Sequence, residues 1–304
     1  MDVIIAGLVL GALYAIVALG YTMVYGIIEL INFAHGDVFT FGAFVAIPIL
    51  NRLVNQNDFN VPVGQSIFAV TVSVLAAAAL CGILGVVIER IAYRPLRNAP
   101  RLAPLITAIG VSLILENALF QWQGGLPVFT PVAISRSTYT ILGSPITNVQ
   151  ILVIVVAILM MVALDLFINR TNLGKAMRAV AQDREAASMM GINVDRIIAV
   201  TFLVGSALAG AGAVFYLLYE GSVGYNSGFT LGLFAFTAAV LGGIGNIRGA
   251  MLGGIVIGLI SSWIESLGNG SGTEWYEPVI FATLVLILVF RPAGLLGTNT
   301  TEKV

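Results

Sequence analysis

From Val3 to Ile28 the chain runs for 26 residues without a charged side chain, and further charge-free runs cover 59–88, 137–164, 197–219 and 221–247. A helix needs about 20 apolar residues to cross the hydrocarbon layer of a bilayer. Inside that layer backbone polar groups have no water to bond, so a chain of this kind must satisfy them within helices. Candidate spans fall near 3–27, 34–50, 66–89, 102–121, 150–168, 197–219, 229–245, 250–267 and 277–290. The second, seventh and eighth are short and rich in glycine, which marks 30–50 and 229–267 as regions of short or broken helices. The expected fold is therefore all-α: a polytopic integral membrane protein with about 8–9 membrane segments, forming a single transmembrane domain over 1–304.

Composition agrees. Hydrophobic residues make up 59% and charged residues 10% of the 304, and the mean hydropathy is +1.00; soluble domains are about 25% charged. A net charge of −1 leaves no basic face to neutralise phosphates, so nucleic acid is excluded as a partner. Cys81 is the single cysteine and sits in an apolar run, where it is expected as a small buried hydrophobe. The start lacks the basic stretch of a signal peptide and is too long for its apolar core, so it reads as a retained first span.

Charge placement orients the spans. Twelve of the fourteen Lys and Arg residues fall on one side, in loops around 90–101, 170–196, 248 and 291–303, and only Arg52 and Arg136 fall on the other. Cytoplasmic loops carry the excess of basic residues. The 169–196 loop is thus expected in the cytoplasm, with the N-terminus outside and the C-terminus inside. That requires an odd number of crossings, met by nine or by seven with one re-entrant hairpin.

The loop NRTNLGKAMRAVAQDREAASMMGINVDR holds eight of the chain's 29 charged residues. Asp183 is placed to cap a helix from Arg184 to Met190, Glu185 suits the positive end of its dipole, and Gly191 supplies a left-handed stop. A free helix this short is marginal in water. It needs a surface, and Ala186, Ala187, Met189, Met190 and Ile192 offer apolar contacts inside a rim of Asp183, Arg184 and Glu185. Two readings stand: an amphipathic turn lying on the protein's own face or on headgroups, and a plug for a groove on a soluble partner.

KAMRAVAQDREAASMMGINVDRIIAVTF resembles the cytoplasmic loop of ABC-importer permeases of the branched-chain amino acid (LIV-H) type. GLVLGALYAIVALGYTMVYGIIELINFAHGDVFTFGAF, IERIAYRPLRNAPRLAPLITAIG and FTAAVLGGIGNIRGAMLGGIVIG agree with that family in order and spacing, so the resemblance covers nearly the whole chain. It implies that residues 183–192 form a coupling helix seated in a cleft of a nucleotide-binding subunit. It implies as partners a second paralogous permease, two ATPase subunits and a periplasmic substrate-binding protein, in the bacterial inner membrane. The implied substrate is a branched-chain or other neutral amino acid; related permeases carry urea or other small amides. GGIGNIRGA lacks the spacing of a phosphate-binding loop. The chain is accordingly expected to be no enzyme, to hold no cofactor, metal or catalytic residue, and to borrow its motor.

Polar residues at membrane depth are costly unless they face protein or water. Glu29, Asn32, His35 and Asp37 interrupt the first long apolar stretch. His35 reads either as a hydrogen-bonded core residue or as a proton-responsive one, and one His beside one Asp supplies too few ligands for a metal. The resemblance implies that Asn32, His35, Gly36 and Asp37 shape the inner part of the pathway. Glu116 and Asn117 sit mid-span, where a carboxylate should face the bundle interior, paired with a neighbouring helix or lining the pathway. The family typically has Gln at Glu116. Glu220 and Glu265 lie near outer ends and read as solvated. Most of the 34 glycines serve close helix packing. Gly242, Gly243 and Gly245, followed by Asn246 and Arg248, read instead as a tight bend whose backbone faces a cavity, although the family often has proline at Arg248. The rivals are a transporter or channel working alone, for which the polar stripe is thin, and an inert anchor, which has no use for broken spans.

Overall fold

The computed structural model describes residues 2–54, 61–97, 99–100, 102–141, 143–267, 275–291 and 293–297. Eleven α-helices occur among them: α1 Asp2–Ile28, α2 His35–Leu53, α3 Val63–Ile88, α4 Leu102–Gln123, α5 Asn148–Arg170, α6 Asn172–Gln182, α7 Arg184–Met189, α8 Val194–Glu220, α9 Ser227–Gly242, α10 Ile247–Ser266 and α11 Tyr276–Phe290. Seven are long and apolar enough to span a bilayer, and α9 and α11, at 16 and 15 residues, are shorter. The protein is an all-α polytopic membrane protein. Its breaks fall between helices, at 29–34 and 243–246, while α2 and α10 run unbroken for 19 and 20 residues.

The centre is built by α1, which packs along α10, α8 and α9, and by α2 between α3, α8 and α9. Lipid offers no hydrophobic drive for helices to associate, so backbones must come close enough for dispersion to hold them. Gly11 of α1 and Gly258 of α10 meet backbone to backbone, and a side chain on either would strike the other helix. Around this core, α3, α4, α5 and α11 turn large apolar side chains outward, among them Phe68, Leu75, Leu159, Leu166, Val285 and Leu286. Water would not tolerate such a surface; hydrocarbon does.

The two ends differ. At one, Arg184 Nη2 donates to the Ile28 carbonyl at 2.6 Å, Arg94 and Arg97 pair with Asp195, and Arg248 pairs with Asp165 at 3.3 Å. Ten of the twelve basic residues assigned to one side gather there, and Arg101 and Lys303 lie outside the described residues. The opposite end carries Arg52, Arg136 and two short antiparallel pairs. β1 Val128–Phe129 pairs with β4 Ser222–Val223, and β2 Thr138–Ile141 with β3 Ser144–Thr147. Thr147 then opens α5 through a reciprocal cap with Gln150.

The shortness of α9 has a geometric reason. Its Gly228 packs on Gly36 and Thr40 at the start of α2, so α9 begins part-way down the bundle. From there 16 residues, about 24 Å at 1.5 Å each, reach the basic end.

Candidate functional site

The 169–196 loop holds two helices, where one was expected. α5 ends at Arg170, and Thr171 reverses the chain by accepting from Gly174 N at 3.0 Å. α6 follows, with Gly174, Met177 and Val180 turned inward at helical spacing. At Asp183 the backbone N–H closes α6 on Ala179 O at 3.1 Å, and Oδ1 accepts from Glu185 N and Ala186 N, both at 2.9 Å. α7 runs to Met189, one residue short of the expected Met190. Gly191, at φ 82°, stops it, and the Ile192 N–H returns to Ala187 O at 3.1 Å.

α7 has an anchored side and a free side. Ala187 is buried in a cluster with Met177, Val180 and Ile197, Ile192 packs against the same cluster, and Arg184 holds the carbonyl of Ile28, the last residue of α1. Outward stand Glu185, Ala186, Gly191, Met189 (79% exposed) and Met190 (83% exposed). The apolar set expected to face a partner is therefore divided: Ala187 and Ile192 tie α7 to its own chain, and Ala186, Met189 and Met190 are free.

An ion-pair chain braces this region and had not been foreseen. Glu89, 1% exposed in the π-helical turn Glu89–Tyr93 after α3, binds Arg97, which also binds Asp195 at the start of α8, and Arg94 joins from outside. The signal was present as opposite charges at span ends, but nothing local tells which ends meet. Between the end of α1, the residues Arg97, Ala99 and Pro104, and the α6–α7 junction lies a cavity of about 330 Å³, lined also by Glu29, Asp183 and Arg184. Glu29 adopts φ 55° there, a left-handed conformation that a side chain disfavours.

The candidates at membrane depth fall into three places. Asn32, His35, Gly36 and Asp37 are buried together where the starts of α2 and α9 overlap. Tyr93 Oη donates to Asn32 Oδ1 at 3.1 Å. The His35 ring lies edge-on to Tyr21, centroids 4.7 Å apart, in the space that Gly20 leaves, and its nitrogens make no hydrogen bond of good geometry. Asp37 points the other way, to α4, where Ser112 Oγ donates to Oδ2 while Oδ1 has no partner. Residues two apart on a helix do not share a face, so His35 and Asp37 are not a pair. Buried polar atoms left without partners are rare in native folds, and three of the six among the described residues belong to His35 and Asp37. Among the described residues no three His, Cys, Asp or Glu side chains gather as a metal would need.

Glu116 lies one turn beyond Ser112 and is half-buried, and Asn117 is exposed on the outer face of α4 with Nδ2 on Leu113 O at 2.8 Å. The bundle interior expected for this pair is thus reached by Glu116 in part and by Asn117 not at all. The third place is the bend: Gly242 packs on Gly249, and Gly243 and Gly245 take φ 102° and 93°. Residues 295–296 lie against its backbone: Leu295 N–H donates to Leu241 O at 2.7 Å, Leu296 N–H to Gly242 O at 3.0 Å, and Asn246 Nδ2 to Leu296 O at 2.8 Å. Glu220 and Glu265 are exposed.

Residues 3–288 match the family described as branched-chain amino acid transport system / permease component. The chain is 42% identical to the high-affinity branched-chain amino acid transport system permease protein BraD of Pseudomonas aeruginosa, over 99% of this chain and 97% of the other. It is 40% identical to LivH of Escherichia coli K12, covering 98% and 96%. More distantly it is 25% identical to the E. coli K12 ribose import permease protein RbsC, covering 90% and 80%. No solved structure matches it.

Proposed function

The chain belongs to the family of permease components of branched-chain amino acid transport systems, and we propose from that premise that it forms the translocation pathway of an importer driven by separate ATPase subunits. The basic end faces the cytosol of a bacterium, the N-terminus lies outside, and α7 seats in a cleft of a nucleotide-binding subunit. A second, paralogous permease, a second nucleotide-binding subunit and an external substrate-binding protein complete the assembly. The substrate is a branched-chain or other neutral amino acid. It passes the buried Asn32–Asp37 cluster as the permease alternates between outward-open and inward-open states.

The observation that carries this reading is the free side of α7. Two adjacent methionines stand almost fully exposed at the end of a six-residue helix, Met189 as its last residue and Met190 as its cap, with Asp183 capping the other end and glycine following. Burying a methionine side chain contributes roughly 1.5–3 kcal/mol, so leaving two in water has a use only if something covers them. Methionine also adapts to irregular pockets. Charges around such a knob set orientation and partner choice.

Changing both Met189 and Met190 to Asp tests this. Membrane insertion should be unaffected, while co-purifying ATPase subunits are lost and ATP-driven leucine uptake falls by on the order of tenfold or more, from the burial energy forfeited. Undiminished uptake with ATPase still bound would remove α7 from the coupling role.

A further inference from the structure

The outward faces of the peripheral helices are not alike. On α5 the exposed positions within the span include Val155, Leu159 and Leu166, and on α11 Val285, Leu286 and Val289, all residues that hydrocarbon accepts. The outward face of α4 is different. It runs along Ile106, Gly110, Leu113, Asn117 and Gln121, spaced three or four residues apart and so on one face. Asn117 stands six residues, about 9 Å, inside the helix end, at a depth without water; Leu113 O takes one of its N–H groups, which leaves Oδ1 and the second N–H facing outward for a partner. The half-buried carboxylate of Glu116 adjoins it.

Two further observations point the same way. α4 is loosely held by its own chain: it buries Pro104, Ala108, Ser112 and Leu119, and packs chiefly on α2 and the π-helical turn. And nothing lies within 4 Å of where a side chain on Gly110 would sit. Glycine is among the poorest helix formers. Apart from Gly64 in the first turn of α3, every other glycine in the described helices has atoms of the chain within 4 Å of where a side chain would sit; at Gly110 the chain itself supplies no such neighbour. Small residues with an amide on one membrane-helix face make up a helix-packing surface.

We propose that this face of α4 is where a second permease subunit docks, its helix lying over Gly110 and hydrogen-bonding Asn117. The occupant is protein because lipid tails can neither bond the amide nor use the glycine. It is a permease because only another membrane-spanning chain reaches that depth. The α5 and α11 faces are left to lipid. This rests on the reading that the chain works as one of a pair of permeases.

The test uses the complete transporter in native membranes. The photoreactive amino acid p-benzoylphenylalanine is incorporated during synthesis in place of Gly110 or Leu113, and in place of Leu159 on α5 as the lipid-facing control. Photolysis should join the α4 sites to a second permease chain, identified by mass, and the control to none. Vesicles that keep ATP-driven uptake yet give no permease adduct from either α4 site overturn the interface and leave the importer reading standing. An adduct from α4 with a protein other than a permease also overturns it. A permease adduct in vesicles without ATP-driven uptake supports the interface and counts against the importer reading.

Discussion

Asp183 serves two helices at once, ending α6 with its N–H and opening α7 with its carboxylate. Removing the side chain should cost about 1 kcal/mol, the usual worth of such a cap, and Asn should replace it almost fully. Hydrogen exchange at the amides of Glu185 and Ala186 checks this: Asp183→Ala speeds it several-fold, by the factor that about 1 kcal/mol implies, and Asp183→Asn leaves it near wild type. Ala187 and Glu185 separate the two sides of α7. Ala187→Trp forces a large side chain into a filled cluster and should lower the melting temperature in detergent, since overpacking costs about 1–3 kcal/mol. Glu185→Arg changes only the exposed rim and should leave melting unchanged while weakening ATPase binding. Asp183 and Gly191 were legible in the sequence because caps and stops act within a few residues. The inward turn of Ala187 and Ile192 was not, because it depends on Met177 and Ile197, on other elements.

Among elements, α6 shows how a charged helix hides in a membrane sequence. Its inward residues Gly174, Met177 and Val180 have helical spacing, but Lys175 and Arg178 between them made the stretch read as loop. Longer, more uniform elements were easier, and the nine expected spans correspond to α1–α5 and α8–α11 within a few residues. The Glu89–Arg97–Asp195–Arg94 chain ties the end of α3 to the start of α8 and so braces the α7 platform. Its links are unequal. Arg94 and Asp195 are both about half exposed, so Arg94→Ala should cost no more than about 1 kcal/mol. Arg97→Ala strands the buried Glu89 carboxylate, and breaking a buried pair from one side costs about 3–5 kcal/mol. Adding Glu89→Gln to Arg97→Ala should recover much of that loss. Thermal melting of the four proteins in one detergent decides it, and equal losses for Arg94→Ala and Arg97→Ala would contradict the burial argument.

For the whole molecule the open prediction is orientation. Single cysteines at Arg52 and Arg136 should react with an impermeant maleimide added outside spheroplasts, and one at Lys175 only after lysis; the reverse pattern would invert the proposed topology. That the protein crosses a membrane as a helical bundle was determined by the sequence alone. Charge-free runs longer than a bilayer is thick leave the backbone no alternative, and twelve of the fourteen basic residues gather in the loops at one end of the spans. Sequence likewise placed Asn32, His35, Gly36 and Asp37 together, since they are neighbours in the chain. Only the tertiary structure decided that His35 turns to α1 while Asp37 turns to Ser112, that Asn117 looks outward, and that residues 293–297 cover the glycine bend. The reason is physical. Hydropathy and caps are set by a residue and its close neighbours, whereas which face of a membrane helix meets protein depends on backbones approaching from far along the chain, and lipid supplies no polarity contrast that would write that face into the sequence.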